Sequence, residues 1–574
     1  MDIKEKLSLW LDSSYIDEDT KVELKNIKDE KELEDRFYRD LAFGTGGLRG
    51  VLGAGSNRMN IYTVGKATQG LANHLNNNFE NPSVSIAFDS RNMSIEFADI
   101  AAAVLCANNI KVNLFESLRP TPMLSFTVRQ LKSSAGIVVT ASHNPKQYNG
   151  YKVYGNDGGQ LTDNSADLVL SEIEKVDSFE KVKKIDLNEA KEKGLLNIIG
   201  EDIDKIYLDK VKSLTIREEL VKKQAKDLKI IYTPIHGSGN VPVRRVLKEL
   251  GYENVSVVKE QEMPNGNFPT APYPNPEDPR VFELALKMAE DIEPDIIFGT
   301  DPDCDRIGVV VKDDEGNYKV LTGNQTGVLL SNYIVSSLKE TNSLPVNGAL
   351  IKTIVTTDMV SGICAKYGVE KLDVLTGFKY IGEKIKEFEK TGEKKYLFGF
   401  EESYGYLAGE FVRDKDAVIA ATLICEMVLY YKSRGMNLYN ALTELYEEYG
   451  YYKESLVSVV LEGKEGQEKI GEIIESLREA KIADIGGVKL VKKFDYKKSL
   501  EANYIENKEN DILLPKSNVL KFVLEDKSWF VVRPSGTEPK MKIYLSVTGT
   551  SIEDAEKRTD ILKEKVMELV EQAK

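Results

Sequence analysis

AGIVVTASHNP, residues 135–145, is the stretch on which the reading of this chain turns. Five small or branched apolar residues run without a polar break. That is the pattern of a strand buried on both faces, and it delivers a Ser-His pair onto a loop. In an open α/β sheet ligands bind beyond the carboxyl ends of the strands, so Ser142 stands where a nucleophile or phosphate carrier would stand. A G-x-S-x-G elbow is missing, which argues against an acyl-transfer serine. Outward from this strand, SVSIAFDS (83–90) and KVNLFE (111–116) read as further strands. IYTVGKATQGLANHL (61–75), IEFADIAAAVLCANN (95–109) and TPMLSFTVRQL (121–131) read as helices. Strands and helices therefore alternate at βα spacing.

The alternation recurs. DLKIIYTPIHGSGN (227–240), NVSVVKE (254–260) and DIIFGTDPDCDR (295–306) are strands running into loops, with helices at 241–250 and 280–292 between them. The Pro-, Gly- and Asn-dense segment 263–279 reads as a loop. A third round runs through GALIKTIVTT (348–357), KLDVLTGFKYIG (371–382) and KYLFGFEESYG (395–405). Beyond 450 strands outnumber helices, and a long helix follows at SIEDAEKRTDILKEKVMELVEQ. The expected fold is α/β: three similar α/β domains, at 1–200, 201–325 and 326–450, and an α+β domain at 451–574. At ~150 residues per domain, 574 residues also predict about four domains. One or two helices are expected ahead of FGTGGLRG (43–50), whose glycines read as a tight turn.

Composition excludes some partners. Asp and Glu number 92 against 77 Lys and Arg, a formal charge of −15, which opposes broad contact with nucleic acid or an anionic membrane. A small anionic substrate is still allowed, because a pocket can be locally basic. Cysteines 106, 304, 364 and 425 are too scattered for a disulfide framework or a zinc site, which points to the cytoplasm. MDIKEKLSLWLDSS lacks the apolar core of a signal peptide. AVIAATLICEMVLYY (417–431) is interrupted by Glu426 and falls short of the ~20 residues that span a bilayer, so it reads as a buried helix.

Four loops carry chemistry. In GTDPDCDR, Asp301, Asp303 and Asp305 sit at every second position. Carboxylates that close need a cation, and all-oxygen ligation implies a hard one such as Mg²⁺. Arg306 beside them suits a phosphate. In GFEESYG, Glu401 and Ser403 share a side if the chain is locally extended, which suits the grip of a polyol; a helix start is the other reading. In RPSGTEPK, Arg533, Ser535, Gly536 and Thr537 offer a guanidinium, hydroxyls and backbone donors, an anion clamp without the P-loop pattern. Around Ser142, Lys152 in NGYKVYG and His143 are alternative bases. One reaction accommodates the set: phosphoryl transfer between Ser142 and a sugar, with Mg²⁺ neutralising the moving group.

The ordered stretches GTGGLRG, TASHNP, GTDPDCDR, GFEESYG and RPSGTEPK resemble the loops of the α-D-phosphohexomutase family, over residues 43–540. The resemblance implies four domains around a central cleft, the fourth a mobile lid. It implies that Ser142 is a phosphoserine and that Asp301, Asp303 and Asp305 join it around one Mg²⁺. Glu401 and Ser403 would hold sugar hydroxyls. Arg533, Ser535, Gly536 and Thr537 would hold the non-transferring phosphate. Arg49, His143, Lys152, Arg306 and Lys379 match positions near the reaction centre. The implied activity interconverts glucose 1-phosphate and glucose 6-phosphate through glucose 1,6-bisphosphate, in a monomer or homodimer. TPMLSF is similar to a branch that includes pentose mutases. Phosphopentomutase activity on ribose or deoxyribose 1-phosphate and dual phosphomannomutase activity are therefore the alternatives. Pro302 and Cys304 stand where many relatives have glycines, and Gly46 where many phosphoglucomutases have serine.

Overall fold

The computed structural model describes residues 2–44, 46–461, 463–535 and 540–573. AGIVV forms a fully buried strand, as its unbroken apolar run requires. It is β4 (Ala135–Val139) in a six-stranded sheet ordered β1-β5-β4-β2-β3-β6. The others are β1 (Gly47–Val51), β2 (Ser83–Phe88), β3 (Lys111–Phe115), β5 (Tyr148–Gly155) and β6 (Leu196–Ile199). Strands β4, β2, β3 and β6 are mutually parallel. Helices Ile61–Asn78, Ser94–Ala107 and Thr121–Gln130 supply the cover that such a sheet needs on its faces. The core joins Val64, Leu71, Phe97, Ala101 and Leu105 to Ile86, Ile137 and Val139, all essentially without solvent contact.

Two antiparallel strands extend this sheet. β5 pairs with β4, and β1 pairs with β5. The segment expected as a glycine turn is therefore partly a strand. Its glycine serves a close approach: a Cβ on Gly47 would lie 2.3 Å from the Tyr151 carbonyl oxygen. Gly47 faces Lys152 and Arg49 faces Gly150, so Arg49 and Lys152 point to the same side of the sheet. Ahead of β1 stand three helices, Ile3–Asp12, Glu18–Asn26 and Glu30–Phe37, where one or two were expected. Their core is Trp10 packed edge-on to Phe37, Tyr62 and Phe179.

A second sheet is ordered β11-β10-β9-β7-β8. It comprises β7 (Ile230–Thr233), β8 (Val255–Val257), β9 (Ile296–Thr300), β10 (Ile307–Lys312) and β11 (Tyr318–Val320). β7, β8 and β9 are parallel, and β9 turns back into antiparallel β10. The acidic loop 301–306 is that connection. GFEESYG forms a hairpin of Lys395–Glu401 with Gly405–Ala408, in which Glu401 faces Gly405.

By internal contacts the chain forms two compact units, Met1–Gly323 with Phe378–Asn437, and Asn324–Gly377 with Leu438–Lys574. In the second, Gly348–Thr353 and Glu370–Val374 pair in parallel. The C-terminal strands build an antiparallel sheet whose inner face packs Phe522, Phe530 and Ile543 against helices Gly463–Glu479 and Ile552–Gln572. That sheet carries the chain's second tryptophan, Trp529, whose indole N–H donates to Asp358 at 2.9 Å. The four cysteines are buried and free. Among the described residues no helix is long and apolar enough to cross a membrane.

The apolar run 417–431 is a buried helix, Ala417–Lys432, with Glu426 inside the core. Its Oε1 accepts the backbone N–H groups of Ile216 (2.9 Å) and Arg217 (2.5 Å), which enter the helix Glu218–Gln224. The charge that interrupts the sequence pattern is thus an acceptor for two orphan donors. Glu426→Ala is expected to cost about 2–4 kcal/mol, because both donors lose their partner. Thermal unfolding should show the loss, and Glu426→Gln, which keeps an Oε1 acceptor, should show much less.

Candidate active site

Asp301, Asp303 and Asp305 are all buried, and their ligating oxygens lie within 4.8 Å of one another. Three carboxylates so close raise one another's proton affinity. Burial, with Asp303 and Asp305 beside it, pushes the Asp301 carboxyl well above the usual range. Burial and Asp303 raise Asp305 as well. At Asp303 burial acts the same way, but the Lys152 and Lys415 ammonium groups and the hydrogen bond with Asp301 together outweigh it and hold the group far below its ordinary value. Among the described residues, Asp303 Oδ1 and Asp305 Oδ1 are buried without a hydrogen-bond partner. A compact all-oxygen set with unspent acceptors fits a hard divalent cation.

The loop is held from several directions. Asp301 Oδ1 accepts the backbone N–H groups of Asp305 (3.1 Å) and Arg306 (3.0 Å). Thr121 donates to Asp303 through its hydroxyl (3.0 Å) and its N–H (2.9 Å). Three cations answer the three carboxylates. Lys152 Nζ is 3.1 Å from Asp303 and 3.8 Å from Asp305. Lys415 Nζ is 2.9 Å from Asp305. Arg306 Nε is 3.8 Å from Asp305, and its Nη1 is 3.3 Å from Glu277.

Ser142 reaches into this cluster. Its Oγ donates to Asp301 Oδ2 at 2.8 Å and lies 3.2 Å from His143 Nδ1. Removal from water, with Arg306 and Arg49 nearby, holds the His143 imidazole well below its usual value. It is therefore neutral at neutral pH and able to accept a proton from the serine hydroxyl. The loop after strand β4 carries Ser142, β5 carries Lys152, and the β9–β10 turn carries the aspartates.

Glu401 ends its strand buried, and burial pushes its carboxyl up to about 7 against the pull of Lys415. Ser403 is half-buried in the turn that follows. Lys379 lies in the first turn of the helix Phe378–Thr391 and pairs with Asp163 at 2.6 Å. Arg49 is exposed on β1. Arg533 and Ser535 belong to the second unit, at the end of the strand Trp529–Pro534, where the Ser535 N–H donates to the Lys540 carbonyl at 2.8 Å. Gly536 and Thr537 lie outside the described residues.

Sequence reasoning missed Lys415, Thr121 and Glu277. Lys415 sits in RDKD, 413–416, a charge run that reads as a solvated loop. One signal was available. A Cβ on Gly405 would lie 2.4 Å from Lys415 Cδ, so the glycine closing GFEESYG leaves room for the lysine stem.

Comparison with known proteins covers nearly the whole chain. Residues 40–180, 205–316 and 322–449 match α/β/α domains I, II and III of phosphoglucomutase/phosphomannomutase, and 482–563 match its C-terminal domain. A phosphoglucomutase of Staphylococcus haemolyticus is 39% identical over 522 residues, 91% of this chain and 92% of that protein. One of Staphylococcus saprophyticus is 36% identical, over 95% and 97%. Among solved structures, the open form of the Paramecium phosphoprotein pp63/parafusin superposes with a TM-score of 0.66 at 17% identity, over 93% of this chain and 95% of that one. A phosphoglucomutase/phosphomannomutase family protein of Burkholderia thailandensis gives 0.65 at 17%, over 92% and 97%. The chain belongs to the phosphoglucomutase/phosphomannomutase family, with three α/β domains and a C-terminal domain.

Proposed function

We propose that this enzyme is a phosphoglucomutase, interconverting glucose 1-phosphate and glucose 6-phosphate through a phosphoserine at Ser142 and a glucose 1,6-bisphosphate intermediate. The observation that carries the reading is Ser142 Oγ, 2.8 Å from one member of a buried carboxylate trio and 3.2 Å from a neutral imidazole. Identity of 39% and 36% with two staphylococcal phosphoglucomutases, over more than nine-tenths of each chain, supports it.

In the forward half, a sugar hydroxyl attacks phosphorus, the P–O bond to Ser142 breaks, and the serine oxygen leaves, taking up in net the proton that the sugar hydroxyl gives up. In the return half, Ser142 Oγ attacks the other phosphate of the bisphosphate, the P–O bond to the sugar breaks, and the sugar oxygen leaves and regains a proton as the product hydroxyl. His143 then takes the serine proton, which it is neutral enough to accept. Lys152, paired with Asp303 at 3.1 Å, steadies the phosphoryl oxygens. Arg49 and Arg306 contribute further positive charge. Asp301, Asp303 and Asp305, with an oxygen of the Ser142 phosphate, would hold one Mg²⁺, whose contribution is to neutralise charge on the moving phosphoryl group. The charge balance favours this set. Three carboxylates already face three cations, so a phosphate of roughly −2 and a divalent ion enter as a neutral pair. Glu401 and Ser403 grip sugar hydroxyls, Lys379 contacts the substrate, and Arg533, Ser535, Gly536 and Thr537 hold the non-transferring phosphate.

Ser142→Ala should abolish mutase turnover without disturbing the fold, and intact mass should lose the ~80 Da of a phosphate carried by the wild type. Near-normal turnover in that variant would exclude a covalent serine. Exhaustive chelation should remove activity and Mg²⁺ restore it; full activity after chelation would exclude the metal. Efficiency measured side by side on glucose, mannose and ribose 1-phosphates, with bisphosphate supplied, should be highest for glucose. A higher value on ribose 1-phosphate would reassign the chain as a phosphopentomutase. Lys415→Met removes the nearest of the three cations around buried Asp305, so stability measured by melting in chelator should fall by up to about 3–5 kcal/mol. Saturating Mg²⁺ should recover part of that loss, and an equal loss with and without the ion would contradict the shared charge balance.

A further inference from the structure

Strand β2 runs out into FDSR, 88–91, a motif that the reaction above does not use. We propose that Arg91 is the positioning residue of the phosphoryl-carrying loop, the group that fixes the backbone of residues 142–148 so that Ser142 Oγ faces the acidic cluster. The inference rests on the reading of Ser142 as the phosphoserine.

The Arg91 side chain has no solvent exposure. Nη1 donates to the carbonyls of Pro145 (3.0 Å) and Tyr148 (3.1 Å), and Nη2 donates to those of Ser142 and Asn144. Nε faces Asp89 Oδ2 at 3.4 Å. Four carbonyl dipoles from one short loop thus converge on one guanidinium. Left to themselves those oxygens repel, and a loop free to relax would turn them outward to water. A planar cation with five fixed N–H groups can hold all four and still face a counter-ion, whereas an ammonium has three donors.

Asp89 ties the same loop from the other side. It accepts the Thr140 hydroxyl at 2.6 Å, and that hydroxyl oxygen accepts the Ser142 N–H at 2.8 Å. Both the N–H and the carbonyl of Ser142 are therefore fixed, directly or through Thr140, by the Asp89–Arg91 pair. Ser142 sits at φ +52°, a left-handed conformation that a residue with a side chain adopts only when its surroundings impose it. With its backbone anchored inward, its side chain is left to point at Asp301. Phe268, from the Pro-rich loop 263–279, covers the guanidinium with its ring 5.0 Å away. That ring keeps water from competing for the carbonyls. Arg91's hydrogen bonds go to backbone carbonyls of the loop, that of Ser142 included, so its influence on the reaction passes through the backbone.

The test is Arg91→Lys, with wild type and Ser142→Ala alongside. Transfer of phosphate from glucose 1,6-bisphosphate to the protein is timed by intact mass, and kcat and KM are measured for glucose 1-phosphate. The expected result is a fall of about 10²-fold in kcat and in the rate of Ser142 phosphorylation, with KM within about threefold, since a misplaced reacting atom costs rate rather than affinity. Millimolar guanidinium should restore at least about tenfold of the activity lost in Arg91→Ala, as a merely destabilised fold would not allow. A kcat in Arg91→Lys within about threefold of wild type, or a loss confined to KM, overturns the proposal. If neither Arg91 variant folds, Phe268→Leu leaves each guanidinium hydrogen bond in place while admitting water. It should slow phosphorylation about tenfold at unchanged KM, and an unchanged rate there overturns the proposal. If wild type itself takes up no phosphate, the reading of Ser142 fails and this inference with it. If wild type is phosphorylated and Arg91→Lys matches it, the inference alone fails.

Discussion

Mutual repulsion among Asp301, Asp303 and Asp305 is the constraint on which the rest of the site depends. Oxygens of three buried carboxylates within 4.8 Å cannot all stay ionised unless positive charge is brought to them. The fold brings Lys152 from β5, Arg306 from the acidic turn itself and Lys415 from beyond the hairpin. Each of these placements has its own structural requirement. Lys152 needs β5 added antiparallel to β4, and Lys415 needs Gly405 to stay without a side chain. The acidic loop thus dictates features in parts of the chain more than a hundred residues away.

Much of this was legible in order of residues alone, and the reasons differ by element. Buried parallel strands announce themselves through unbroken apolar runs, so AGIVV and IIFGT were readable. The aspartates were readable because their spacing has little purpose without a cation. β1 was not, because glycine carries no strand signature; its need for a close approach to Tyr151 appears only when β5 is beside it. Lys415 and Arg91 were not, because an isolated charge in a loop looks the same whether it meets water or four carbonyls. Arg91 did leave one trace, its place just past the carboxyl end of a buried strand, where the fold concentrates its chemistry.

Backbone strain marks the three site loops of the first unit in a common way. Ser142 has φ +52°, Cys304 +51° and Tyr404 +64°, none of them glycine. Each is held by a bond from outside its own turn. The Ser142 carbonyl meets Arg91, the Cys304 carbonyl accepts the Ala417 N–H at 3.2 Å, and the Tyr404 carbonyl accepts the Ile307 N–H at 3.2 Å. Cys304 therefore keeps a left-handed backbone geometry and accepts the strain of a side chain in it. These bonds tie the elements together, so a shift in the acidic turn is felt by the hairpin that carries Glu401 and by the helix Ala417–Lys432.

The first compact unit is discontinuous in sequence, since it takes in 378–437 after a stretch, 324–377, that belongs to the second. During synthesis the ribosome releases Ser142 and the aspartates long before Glu401, Lys415 and the Glu426 that receives the Ile216 and Arg217 amides. For the time it takes to make those intervening residues, the acidic trio lacks one of its three cations. At ~5–20 residues per second that delay, from Asp305 to Lys415, lasts on the order of ten seconds. The nascent enzyme must pass through it with its most highly charged loop incompletely compensated. A hard cation captured early, or protonation of one aspartate, are the two ways the chain has of crossing that interval.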